Sequence, residues 1–147
     1  DFSEPYTYIH GALLVAADND EIQSLEDLEG KRAAQNLTSS WGQMAESRGA
    51  ELVGVESMNQ SVELILTGRA DVTLNAETAF YDFMKSQPDQ PVKIAGMTDS
   101  TTSSVIPVRK GNESLVSAIN AALDEIRESG ELAELSVKYF GQDITEQ

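Results

Sequence analysis

The sequence has no cysteine in its 147 residues, which excludes a disulfide framework, a thiol nucleophile and a thiolate metal site. Positive charge is scarce: 10 lysines and arginines stand against 25 aspartates and glutamates, for a formal net charge of −15. Such a field repels phosphate backbones, so nucleic-acid binding is not expected. No apolar run approaches the roughly 20 residues that a membrane-spanning helix needs.

Hydrophobic residues nevertheless make up 40% of the chain, which is too many for a disordered protein despite the charge. The length is typical of one domain with a real core. The acidic residues are scattered along the chain and predict a highly soluble surface. The sequence opens on Asp1 instead of methionine, so we expect that an upstream segment has been removed.

Short apolar strands alternate with helices of about three turns, a pattern typical of βαβ units. The predicted strands are 9–17, 31–35, 50–56, 70–75, 91–96 and 105–111. The predicted helices are a short one between Ser24 and Gly30, then 40–48, 59–68, 77–86, the longest one after Asn112, and 131–140. The pattern therefore predicts an α/β fold with a mostly parallel sheet flanked by helices.

Three details of this pattern are open to test. Ser24 and Asp27 have the spacing of a capping box, and Asn59 and Asn112 are predicted to cap their helices. The stretch 97–104 is polar throughout and is predicted to be a linker. Pro107 lacks a backbone N–H, so it places the strand at 105–111 at an edge or a bend.

The stretch "AAQNLTSSWG" places three hydroxyls, Thr38, Ser39 and Ser40, between a strand and a helix. In parallel α/β proteins ligands lie at the carboxyl ends of strands, and N–H groups at a helix start favour a carboxylate. The pattern is therefore compatible with an anion-binding turn. The alternative is that one hydroxyl caps the helix and the others are ordinary surface residues.

Asn75 and Glu77 follow the next parallel strand and could meet the ammonium group of a ligand, or could equally serve as a helix cap and a first-turn acid. Trp41 could stack on a ligand or belong to the core. His10, the only histidine, is interpreted as structural, because no cysteine or suitably spaced serine accompanies it. No metal-ligand spacing and no calcium loop is present, so neither a metal nor a cofactor is predicted.

Four stretches resemble, in order, the family 3 extracellular solute-binding proteins that serve amino-acid ABC importers. They are "DFSEPYTYIHG", "SLEDLEGKRAAQNLTS", "GRADVTLNAETAFYDF" and the long segment from "VIPVRKG" to "VKYFG". Within the family, "AAQNLTS" and "TLNAETAFYDF" are most similar to receptors for cystine and related polar amino acids.

The resemblance implies a type II periplasmic-binding-protein-like fold, in which two α/β lobes close on an amino acid. It assigns 1–11 to the hinge entry, 12–98 to the second lobe, 99–104 to a linker or second hinge, and 105–147 to a return strand and terminal helices. The amino-terminal part of the first lobe has no counterpart. We therefore expect weak binding and a homodimer, or exchange of segments between chains, through the helix faces that this lobe would cover.

The resemblance also assigns roles to the site residues. Thr38 and Ser39 correspond to positions that bind the ligand α-carboxylate, with Ser40 beside them. Relatives usually have an aspartate, which pairs with the α-ammonium, where this chain has Ala76. Three explanations are open: Glu77 reaches in instead, the ligand has no free ammonium, or binding has been lost.

The predicted function is capture of a polar, cystine-like amino acid and its delivery to an ABC transporter permease, without catalysis. The predicted location is periplasmic or extracellular, with a lipid anchor at the cell surface in a Gram-positive organism. The alternatives are an enzyme of the same fold, either a dehydratase or a peptidoglycan-associated enzyme with Glu77 as acid or base, and a ligand-sensing domain.

Overall fold

The computed structural model describes residues 1–146 and confirms the α/β class. The strands are β1 (Thr7–Ala16), β2 (Arg32–Gln35), β3 (Glu51–Gly54), β4 (Thr73–Ala76) and β5 (Val92–Ser104). The helices are α1 (Ser40–Ser47), α2 (Met58–Leu66), α3 (Glu77–Ser86), α4 (Glu113–Glu128) and α5 (Glu131–Phe140), and a short 3₁₀ helix covers Leu25–Leu28.

The chain divides into two compact units. One consists of Asp1–Ile9 and the stretch from Thr101 onward, and the other consists of His10–Ser100. The assignment of hinges and lobes made above stays a prediction, and its last residue, Gln147, lies outside the described residues. All candidate site residues belong to the unit His10–Ser100.

Strand pairing in the unit His10–Ser100 is both parallel and antiparallel. β2 pairs with β3 in parallel, and a parallel bridge joins Ala33 to Val72, just before β4. β1 instead runs antiparallel to β4, from Gly11 opposite Ala76 to Leu14 opposite Thr73, in a sheet of order β4-β1-β5. The predicted βαβ alternation therefore holds for β2, β3 and the approach to β4, whereas β1 has the opposite direction.

The core of this unit is built on β1. Leu13 and Val15 face one hydrophobic cluster, while Ala12 and Leu14 face another that contains Phe80. Because successive strand side chains point to opposite faces, a strand with apolar clusters on both faces must be apolar throughout. This explains the continuous apolar run 12–15 within the predicted strand.

The helix starts follow local capping chemistry. Ser24 and Asp27 form the predicted capping box. Ser39 caps α1, and its hydroxyl accepts the Gly42 N–H at 3.0 Å. The predicted Asn59 cap is wrong: Ser57, with extended backbone, caps α2 by accepting the Gln60 N–H, and Asn59 lies inside the first turn. Asn112 is the cap residue of α4 but its side chain makes no capping hydrogen bond.

The stretch after residue 96 differs from the predicted local structure. Residues 97–104, predicted to be a polar linker, continue β5 as strand to Ser104, and their role as a connection between lobes stays a prediction. Strand pairing uses backbone groups and tolerates polar side chains, so polarity alone did not indicate a break. Residues 105–111, predicted as a strand, contribute only a single bridge between Pro107 and Phe2, because proline donates no ladder hydrogen bond.

The other unit packs α4 and α5 around few buried apolar side chains, namely Leu123, Leu132 and Ile144. Several apolar side chains of this unit are exposed, including Leu115 (49%), Val137 (51%) and Tyr139 (66%). Within residues 1–146, no helix combines the length and hydropathy needed to cross a bilayer.

Candidate ligand-binding site

A cavity of about 170 Å³ opens where β2, β3 and β4 end and where α1 and α2 begin. Most of its lining side chains carry amide or hydroxyl groups. The lining residues are Gln35, Asn36, Ser39, Trp41, Val55, Glu56, Ser57, Met58, Ser61, Thr73, Leu74 and Asn75. The location follows the rule that ligands of open α/β sheets bind beyond the carboxyl ends of the strands.

The turn into α1 presents N–H groups beside this cavity. Ser39 uses its hydroxyl twice, since it donates to Asn36 O at 2.8 Å and accepts the Gly42 N–H. Within residues 1–146, the N–H groups of Ser40 and Trp41 have no protein acceptor. Unpaired N–H groups at a helix start carry partial positive charge and suit a carboxylate.

Thr38 and Ser40 are exposed beside the cavity and do not line it. The Asn36 carboxamide oxygen accepts both the Thr38 N–H at 3.0 Å and the Thr38 hydroxyl at 2.9 Å. Asn36 therefore holds the hydroxyl-rich turn in shape, a role that sequence reasoning did not assign to it.

The structure brings Asn75 to the same cavity as Ser39. The Asn75 carboxamide oxygen accepts the Ala76 N–H at 2.8 Å, which leaves its amide NH₂ without a protein acceptor in the described chain. Asn75 is half-buried at the end of β4, so the amide is a candidate contact for a ligand oxygen.

Glu77 lies apart from the cavity lining. It is 5% exposed, and its Oε1 accepts the His10 N–H at 2.8 Å and lies 3.1 Å from His10 Nδ1. Its Oε2 accepts the Tyr81 hydroxyl at 3.0 Å. Burial and the Glu77 carboxylate raise the pKa of Tyr81 to about 12, which keeps this hydroxyl a donor. The three groups form a structural network.

Trp41 has both of the roles considered for it. Its ring lines the cavity and also packs against the cluster that contains Leu13. Gly11 of β1 lies directly against it, since a Cβ at Gly11 would be 2.5 Å from Trp41 Cζ3 and would overlap the Thr98 hydroxyl. The glycine thus leaves room for the indole beside the cavity.

The cavity is almost free of formal charge. Among its lining side chains in the described chain, only Glu56 is ionisable. No cluster of three or more His, Cys, Asp or Glu that could hold a metal occurs in residues 1–146. The site therefore suits a small polar ligand whose negative group meets backbone N–H groups, with acceptors nearby.

Sequence reasoning missed the contribution of β3. Val55, Glu56 and Ser57 follow this strand and line the cavity, but only the ends of the second and fourth strands were considered. A signal was present, because the rule that located the other two strand ends applies equally to β3, whose neighbour β2 is parallel to it.

Fold and site together define an α/β unit with a polar cavity beyond the ends of parallel strands. Residues 1–142 match the bacterial extracellular solute-binding proteins, family 3. The chain belongs to this family, and its fold is that of the type II periplasmic amino-acid-binding proteins.

Named relatives are similar over nearly the whole chain. A probable amino-acid ABC transporter-binding protein of Haemophilus influenzae is 36% identical over 99% of this chain, and the L-cystine-binding protein TcyA of Bacillus subtilis is 38% identical over 99%. The crystal structure of the L-cystine solute receptor of Neisseria gonorrhoeae, unliganded and open, covers 100% of this chain with a TM-score of 0.92 and 38% identity.

The chain spans only part of each of these proteins. It covers 56% of the Haemophilus protein, 54% of TcyA and 62% of the gonococcal receptor. These named relatives are transport solute-binding proteins, and none of them is named as an enzyme.

Proposed function

We propose that the protein captures a polar amino acid, with L-cystine as the first to test, and delivers it to the permease of an ABC importer. The observation that carries this proposal is the pair of unpaired N–H groups of Ser40 and Trp41 beside a polar cavity at the strand ends. The names of the relatives support both the ligand class and the transporter.

The proposed contacts place the ligand α-carboxylate at the start of α1. The N–H groups of Ser40 and Trp41 donate to it, together with the Thr38 hydroxyl after a rotation away from Asn36. Ser39 does not contact the ligand with its hydroxyl but caps α1 and so holds the backbone of the turn in place. Asn75 donates to the ligand from its amide NH₂. Glu77 supports the site indirectly by tying α3 to β1 through His10.

The remaining parts of the proposal concern the whole protein. Residues 12–98 act as one lobe, with hinges at 1–11 and 99–104, and the separate compactness of His10–Ser100 supports this division. A second lobe closes on the ligand, because ligand that contacts both lobes favours the closed state. The protein works in the periplasm or at the cell surface, where a lipid anchor holds it in a Gram-positive organism.

We include two further points in the proposal. No bond is made or broken in the site, a view supported by the engagement of Glu77, the one predicted acid or base, with His10 and Tyr81. Copies of the chain associate through exposed apolar side chains of α4 and α5, for example Leu115 and Val137.

The test uses the full natural chain and compares Ser40→Pro with Ser40→Ala. Ser40 is the first residue of α1, where proline is tolerated, and Ser39 has the extended conformation that proline requires before it. The proline removes the N–H, whereas alanine removes only the hydroxyl. We expect Ser40→Pro to bind L-cystine about 10- to 150-fold more weakly, since one hydrogen bond to a charged group is lost.

Calorimetry with a panel of amino acids, including L-cystine and its carboxylate-free analogue cystamine, measures the outcome. Ser40→Ala should bind nearly as the unchanged protein does, and cystamine should bind poorly to all three. Equal binding of the alanine and proline variants would place the carboxylate elsewhere. Failure of the unchanged protein to bind any amino acid would refute the proposed function.

A further inference from the structure

The cavity contains a buried amide with one open acceptor. Gln35, at the end of β2, is 4% exposed, and its Nε2 donates to Thr73 Oγ1 at 3.3 Å and to Leu74 O at 3.2 Å. Its Oε1 has no donor within residues 1–146. In that range every fully buried side-chain nitrogen or oxygen has a hydrogen-bond partner, so an oxygen without a partner, such as Oε1, is not fully buried. Because Gln35 lines the cavity, we take the cavity to be where Oε1 is accessible.

The hydrogen-bond network determines which end of the Gln35 amide faces the cavity. The Thr73 hydroxyl donates to Ala34 O at 2.8 Å, so toward Gln35 it can only accept. Leu74 O is likewise an acceptor, and both therefore require the NH₂ end of the amide. If the Gln35 amide were flipped, its oxygen would face two other acceptors, Thr73 Oγ1 and Leu74 O. The observed orientation is therefore fixed, and Oε1 is held as a hydrogen-bond acceptor on the cavity side.

Glu56 adds the only formal charge among the cavity's lining side chains in the described chain. It follows β3 immediately before the Ser57 cap of α2, and its backbone N–H donates to Gln60 Oε1 at 2.8 Å. That bond holds the main chain of Glu56 in place, and the residue is exposed and lines the cavity. Among residues 1–146, no lysine, arginine or histidine lines the cavity to neutralise this carboxylate.

We infer that Gln35 and Glu56 bind the ammonium group of the ligand, a role that Ala76 cannot perform because its side chain is apolar. This inference rests on the proposed function. An ammonium carries three donors and a positive charge. The Gln35 oxygen accepts one hydrogen bond in a fixed direction, and the Glu56 carboxylate supplies the opposite charge. The site therefore selects a free amino acid over the corresponding acid that lacks the amine.

The first test changes the exposed residue, which does not put folding at risk. Glu56→Gln and Glu46→Gln, the latter on the exposed side of α1 outside the cavity, alter the net charge equally. We measure binding of L-cystine and of dithiodipropionate, which keeps the disulfide and both carboxylates but has no amine, to the full natural chain by calorimetry.

We expect Glu56→Gln to bind L-cystine about 5- to 50-fold more weakly and to bind dithiodipropionate with little change, because only the amine meets the carboxylate. Glu46→Gln should leave both affinities unchanged within about twofold, since a distant surface charge is screened. Equal weakening of both ligands by Glu56→Gln, or no weakening of either, would overturn the inference.

A second variant tests the fixed acceptor. Gln35→Met keeps the length of the side chain and removes the open oxygen. It should reduce the preference of the protein for L-cystine over dithiodipropionate about 10-fold. Should this variant not fold, as thermal unfolding would reveal, the Glu56 comparison decides alone.

The two ligands also separate this inference from the proposed function. Tight binding of L-cystine with unchanged selectivity in the variants would leave the function standing and refute the role of Gln35 and Glu56. If the unchanged protein bound dithiodipropionate as tightly as L-cystine, the role of Gln35 and Glu56 would likewise be refuted and the proposed function would stand. Absence of binding to every amino acid in the panel would refute the function itself.

Discussion

At the scale of single residues, the hydroxyl-bearing side chains in the turn before α1 have different structural roles. The Ser39 hydroxyl caps the helix by accepting the Gly42 N–H and also donates to Asn36 O, and Thr38 is held by Asn36. The groups left for a ligand are backbone N–H groups, those of Ser40 and Trp41. Of the two interpretations of the cluster, capping by Ser39 is shown, and carboxylate binding stays a proposal.

The contact between Gly11 and Trp41 yields a prediction at this scale. Gly11→Ala places a Cβ against the indole and the Thr98 hydroxyl, so the ring must move. We expect a loss of about 1–3 kcal/mol in the free energy of unfolding, as is typical of an overpacked site. Trp41 is the only tryptophan, so its fluorescence in a denaturant titration measures both stability and ring environment.

Gly54→Ala is the matched control for this substitution. The nearest atoms to its Cβ belong to the Leu37 side chain, at 3.3 Å, and Leu37 is 59% exposed and able to move. Its unfolding free energy should change less than that of Gly11→Ala. If Gly11→Ala matched the unchanged protein in stability and in emission, the tight packing at Trp41 would be refuted.

At the scale of elements, an ion pair fastens β2 to the segment before β4. Arg32 donates from Nε and Nη2 to the two carboxylate oxygens of Asp71, at 3.0 and 2.7 Å, and the Arg32 N–H donates to Asp71 Oδ2 at 2.8 Å. The Arg32 guanidinium and N–H hold the pKa of Asp71 below its usual value. This pair helps bring the end of β4 beside that of β2, where the cavity lies.

We therefore predict that Asp71→Asn lowers the free energy of unfolding by about 1–2 kcal/mol at neutral pH, because a charge-assisted pair is lost at a partly exposed site. The pKa of Asp71 is lower in the folded than in the unfolded chain. Its stabilisation is therefore complete above the ordinary aspartate value of 3.8 and is lost as the pH falls through the folded value.

Denaturant titrations from neutral to acidic pH measure this effect as the difference between Asp71→Asn and the unchanged protein. That difference should shrink in acid. Asp82→Asn, on the exposed side of α3, removes the same charge and should cost less. A constant difference at every pH, or an equal cost for the two variants, would contradict the assigned role of the pair.

At the scale of the whole molecule, exposed apolar side chains oppose a large negative charge. Leu115, Val137 and Tyr139 are each about half exposed or more, at 49%, 51% and 66%, which favours association of copies. The net charge of −15 repels them. Salt screens charge and leaves apolar burial intact, so the balance depends on ionic strength.

We predict that the 147-residue chain associates at high protein concentration and more strongly as salt is added. Light scattering measures the molar mass. Val137→Lys should weaken association, whereas Glu128→Gln, which raises the net charge by the same amount at an exposed polar position, should not. A monomer at high concentration and high salt would refute self-association through these side chains.

The sequence by itself determined what depends on neighbours a few residues away. The alternation of apolar runs and helical periodicity established the α/β class, and the Ser24–Asp27 spacing predicted its capping box. The apolar run at 9–17 predicted a buried strand, because a strand with core on both faces has no polar position.

Only the tertiary structure decided which distant groups meet. Strand direction set β1 against β4, and it brought His10 to the Glu77 carboxylate, 67 positions away in sequence. It also added the end of β3 to the cavity and continued β5 through a polar stretch. Long-range backbone pairing determines these outcomes, and a sequence pattern records propensity and burial but not which strands become neighbours.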